Sequence, residues 1–118
     1  MPRVFPFEPV RDLIGILRAL YAHEKSRPFP QTLKMRQIAS LATELSNAMN
    51  SAEWHDPGTA PYERALSRAE GVAFRVAYVV TVADSLEPVL KVASDRVRGK
   101  ASKGTEREFR WAMGKKRG

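Results

Sequence analysis

The sequence predicts an all-α fold: a small antiparallel helical bundle of three to four helices, with a long kinked third helix, followed by a basic C-terminal tail containing a short helix. Three observations carry that expectation. Apolar residues recur at steps of three and four, prolines and glycines fall between the periodic stretches, and no strand-like alternation stands out. At 118 residues, with 43% hydrophobic and 28% charged side chains, the chain suits one domain with a modest core. Residues 1–98 form the expected bundle and residues 99–118 the expected tail.

Pro2, Pro6 and Pro9 punctuate an extended lead segment, and Pro9 suits a first helical turn, where its missing N–H is not needed. Val10, Leu13, Ile14, Leu17, Leu20 and Tyr21 then place an amphipathic helix over about 9–25. Pro28-Phe29-Pro30 breaks it. Leu33, Ile38, Leu41, Ala42, Leu45, Ala48 and Met49 mark a second helix over about 31–52. Asp56-Pro57-Gly58 is turn chemistry, and Thr59 suits the cap of a third helix.

That helix has the strongest period in the chain, with Tyr62, Leu66, Ala69, Ala73, Val76, Val80 and Ala83 in one seam. The stripe slips near Asp84 to Pro88 and continues through Leu86, Leu90, Ala93 and Val97. Asp84 and Glu87 suit a capping box that starts a new helix, with Pro88 in its first turn; Pro88 equally suits a kink in one helix from about 60 to 98. With no glycine or polar loop between the halves, the kinked helix is the expectation. Beyond the two-glycine linker of residues 99–104, Thr105 and Glu108 box the start of a short helix over about 105–113.

The net charge of +7 is unevenly placed. Residues 94–118 carry nine basic side chains against three acidic, whereas residues 1–93 carry eleven against ten. A cationic tail on a nearly neutral domain attracts polyanions, nucleic acid above all, because neutralising phosphates releases counterions. Arg64, Arg68 and Arg75 add a basic edge to the third helix, tempered by Glu63 and Glu70. In the tail, Phe109 and Trp111 interleave with Arg107 and Arg110, and aromatic rings among cations suit stacking on unpaired bases.

Other chemistries lack their residues. The chain has no cysteine, hence no disulfide framework or thiolate metal site. Two histidines in distant segments make a poor ligand set, and no Glu-x-x-His pair, glycine-rich phosphate loop or nucleophile elbow occurs. No cofactor or metal is expected. The longest uncharged apolar run, residues 77–83, is far short of the roughly 20 residues that cross a bilayer, and the first residues lack a secretion signal. The expectation is a cytoplasmic protein with no membrane partner.

Arg18-Ala-Leu-Tyr-Ala-His23 is the one arrangement that could act as an active site. It is similar to the R-x4-H signature of HEPN-type ribonucleases, which implies a histidine moving the proton and an arginine holding charge on the phosphodiester. The family usually has a polar residue after the arginine, and here Ala19 follows. Separately, Pro28-Phe29-Pro30 and Val82-Ala83-Asp84-Ser85-Leu86-Glu87-Pro88 resemble landmarks of the four-helix-bundle family of ribosomal-intervening-sequence proteins and Avd retroelement accessory proteins. The likeness covers about residues 8–93, although the family's Asn-Ile-Ala-Glu-Gly segment is absent. It implies a basic homo-oligomer that assists nucleic-acid-handling machinery without catalysis.

The function expected from the sequence is a non-catalytic, oligomeric nucleic-acid-binding accessory protein, for RNA or a ribonucleoprotein. Its contacts are Arg64, Arg68, Arg75, Arg96, Arg98, Lys100, Lys103, Arg107, Arg110, Trp111, Lys115, Lys116 and Arg117. The alternatives are a protein-interaction adaptor assembling through an apolar helix face and, third, a ribonuclease using Arg18 and His23. The oligomer is expected on helix three, because Val72, Val79 and Val82 flank its seam and leave one side to be covered.

Overall fold

Four helices form where the local sequence marks them: α1 (Phe7–Lys25), α2 (Thr32–Glu53), α3 (Ala60–Val79) and α4 (Leu86–Val97). The computed structural model describes residues 3–79 and 86–100, together with Gly104, Arg107, Arg110 and Trp111. Among the described residues there is no strand, and no helix is long and apolar enough to cross a membrane.

Each helix packs on two others: α1 on α2 and α4, and α3 on α2 and α4. This ring of contacts encloses one core, to which α1 gives Val10, Leu13 and Leu17, α2 gives Ile38 and Leu45, α3 gives Ala69, Val72 and Val76, and α4 gives Val89 and Ala93. The spacing of these residues is the 3.6-residue period that the sequence shows. Phe5 joins the core from the lead segment at 1% exposure, and its amide donates to the Tyr62 hydroxyl at 2.6 Å. That bond ties the chain start to α3.

The single kinked helix expected over residues 60–98 is corrected. α4 is a separate element that lies back along α3 and also packs on α1. Arg98 at its end sits over the Phe74 ring of α3, 5.3 Å from the centroid, and Arg96 pairs with Asp12 of α1 at 2.8 Å. Pro88 occupies the first turn of α4, where no amide donor is required. The expected capping residue Asp84 and the rest of the slip, residues 80–85, lie outside the described residues. α4 ends at Gly99, whose φ of +71° is open to glycine at no steric cost. The Lys100 amide donates to the Asp95 carbonyl and the Gly99 amide to that of Arg96, the paired bonds of a Schellman cap.

The physical reason for the fold-back is burial. Tyr62, Leu66, Ala69, Val72, Ala73 and Val76 are all buried within one chain, because α2 covers one side of the seam and α4 the other. The uncovered side that motivates an oligomer on helix three is therefore filled by α4 along the described part of the seam. Val80 and Val82 lie outside it.

The α1–α2 turn is closed by Glu24, a carboxylate only 2% exposed. It accepts from the Gln31 amide at 3.1 Å and from Arg27 Nη1 at 3.2 Å, with Lys34 Nζ 3.5 Å away. The Gln31 hydrogen bond lowers its pKa against the opposing effect of burial, helped by the charges of Arg27 and Lys34. A carboxyl depressed in the folded state stabilises above its ordinary value of 4.5, and that contribution disappears as pH falls through the folded value. Glu24→Gln is thus expected to lower the melting temperature at neutral pH and to flatten its decline between about pH 5 and 3. Thermal melts that run parallel for both proteins through that window would contradict the clamp.

Candidate nucleic-acid interface

The helix-three arginines gather at one feature. Arg64, Arg68 and Arg75 line an open groove of about 890 Å³ between α3 and α2. Successive steps of four and seven residues keep them on one face, over about 16 Å of helix at 1.5 Å per residue. From the other wall come Asn47 and Ser51 of α2, followed by His55 just beyond its end. These three recur every four residues, so they form one row along the helix.

The acidic neighbours are on a different side. Glu63 and Glu70 both pair with Arg3 of the lead segment, at 3.9 and 3.0 Å. The carboxylates that temper the basic edge in the linear sequence are thus engaged away from the groove. Arg75 pairs with Glu44 of α2 at 2.7 Å, while Arg64 and Arg68 are exposed and have no ion pair among the described residues.

His55 Nδ1 lies 2.7 Å from the Ser51 carbonyl oxygen. A carbonyl only accepts, so Nδ1 carries the hydrogen and Nε2 is the nitrogen left for a ligand. Trp54, next to it, is 84% exposed. Gly71 also lines the groove, and among the described residues a Cβ placed there would meet nothing within 4 Å beyond its chain neighbours and its own helix backbone.

The other expected contacts divide into three sets. Arg96 is fastened to Asp12 of α1, and Arg98 pairs with Asp95 of α4 and sits over the Phe74 ring of α3, so both are engaged at the bundle edge. Lys100 is exposed at the end of the Schellman cap, and Arg107, Arg110 and Trp111 are exposed and helical. Lys103, Lys115, Lys116 and Arg117 lie outside the described residues, as do Phe109 and Met113.

Arg18 and His23 stand five positions apart on α1. Arg18 lines a smaller groove of about 360 Å³ between α1 and α2, over Leu17, Ile38 and Ala42, and His23 is not in its wall. Five residues along an α-helix turn the side chain about 140° away, which is why the two diverge. Among the described residues no three histidine or carboxylate side chains cluster as a metal site.

Row-like spacing in α2 was the available signal for Asn47, Ser51 and His55, but it acquires meaning only once α3 is packed beside it. Comparison with protein-family models, with curated proteins and with solved structures found no match for the chain.

Proposed function

We propose that the protein is a non-catalytic nucleic-acid-binding accessory protein, for RNA or a ribonucleoprotein, that tracks the phosphate backbone with the basic edge of α3 and its C-terminal tail. One observation carries the reading: three arginines line a single groove while the neighbouring carboxylates are paired with Arg3 elsewhere. Guanidinium groups suit phosphate because their planar donors match its oxygens.

The test is a salt titration with a labelled single-stranded RNA. Arg64→Gln/Arg68→Gln is expected to weaken binding and to reduce the slope of log affinity against log salt by about 1.4, two phosphate contacts at about 0.7 each. Equal slopes for this variant and the parent would remove the α3 edge from the interface.

The adaptor reading, which includes self-assembly, is favoured by a separate observation. Phe29 in the α1–α2 turn and Leu33 in the first turn of α2 are 90% and 70% exposed. Salt-insensitive self-association in the same titrations, with no RNA bound, would favour it over the nucleic-acid reading.

A further inference from the structure

Building on the nucleic-acid reading, we propose that the α2–α3 groove is a single-strand site, in which Arg64, Arg68 and His55 hold consecutive phosphates and Trp54 stacks an unpaired base at the groove's end. The shared chemistry is a phosphodiester strand with accessible bases, from RNA or DNA.

Four features point to it. Arg64 and Arg68 are one turn apart, a separation of about 6 Å that lets each take its own phosphate along a strand. His55 lines the same groove, and with its Nδ1 hydrogen held by the Ser51 carbonyl its Nε2 is the nitrogen left for a ligand. Trp54 is a large ring left in solvent one residue from that imidazole. Every base offers a face to an aromatic ring, but only an unpaired base can leave its stack to use one.

The fourth feature is Gly71. Glycine inside a helix is unfavourable by about 1 kcal/mol relative to alanine. No close approach of another part of the protein requires it here, since a Cβ would meet nothing within 4 Å. What its missing side chain does provide is clearance along the groove between Arg68 and Arg75.

The experiment uses the full chain and three fluorescent probes: oligo-U, oligo-dT and a mixed-sequence DNA duplex. Affinities are measured at one pH and constant low ionic strength. The parent protein is expected to bind the single strands several-fold more tightly than the duplex. Trp54→Ala should lose about tenfold toward single strands with little change for duplex. His55→Gln should weaken single-strand binding several-fold, whereas His23→Gln should leave it unchanged.

Gly71→Leu guards against misfolding as an explanation. Leucine is the better helix former, so this variant should melt no lower than the parent while losing single-strand binding. Equal binding of oligo-U and oligo-dT assigns the site to the shared backbone and bases, and a preference for oligo-U assigns it to RNA. Single-strand binding unchanged in Trp54→Ala, His55→Gln and Gly71→Leu would overturn the groove site while leaving the tail-driven reading in place. No binding of any probe by the parent at low salt would overturn both.

Discussion

Leu90→Ala is expected to destabilise the protein by about 2–5 kcal/mol, the range for truncating a buried leucine. Leu90 is 3% exposed in α4, where it joins the one core shared by all four helices. Domains of this size have total stabilities of about 5–15 kcal/mol, so the loss is a large fraction. In circular dichroism melts it should appear as a drop of about 10 °C or more. The midpoint should also be independent of protein concentration, because α4 buries Leu90 within its own chain. If α4 instead prolonged α3 outward into an oligomer, the midpoint would rise with concentration. A Leu90→Ala variant that melts with the parent would disprove the fold-back, and a midpoint that rises with protein concentration would show self-association.

The contrast between α4 and the earlier helices shows what the sequence discloses. α1, α2 and the start of α3 are legible because their signals are local: an apolar period on one side and Pro28-Phe29-Pro30 or Asp56-Pro57-Gly58 on the other. The expected ranges 9–25 and 31–52 accordingly agree with Phe7–Lys25 and Thr32–Glu53 to within two residues. The reversal before α4 is not legible in that way. The same stripe of apolar residues serves a kinked helix or a hairpin, and the choice depends on whether α1 and α3 need covering. Its fastenings join residues far apart in the chain, such as Arg96 with Asp12.

The site divides similarly. The basic edge of α3 is a helical period and is visible in the sequence, but its freedom from Glu63 and Glu70 depends on Arg3, some sixty positions away. Glu24 resembles any surface glutamate in the sequence. Its burial arises because the α1–α2 turn brings the Gln31 amide and Lys34 to it. His55 reads as a loop residue until α3 supplies the opposite wall of its groove.

Removing residues 101–118 is expected to weaken nucleic-acid binding by at least about a hundredfold at low salt and to lower the magnitude of the salt slope by about 3 to 4. The deleted segment holds six basic and two acidic side chains, more cationic charge than the three groove arginines, and counterion release scales with the phosphates neutralised. Ending the chain at Lys100 keeps the Schellman bonds of Gly99 and Lys100 and the ion pairs of Arg96 and Arg98, so the bundle should melt as before. The remaining affinity should come from the groove, with a smaller slope and a residual preference for single strands. Tail and groove together act as two attachments on one strand, and joining them makes the second contact intramolecular. Arg64→Gln/Arg68→Gln combined with the truncation should therefore abolish the remaining binding. If the truncated protein binds as tightly and with the same salt slope as the full chain, the cationic tail has no part in binding, and the phosphate-tracking function proposed for it is wrong.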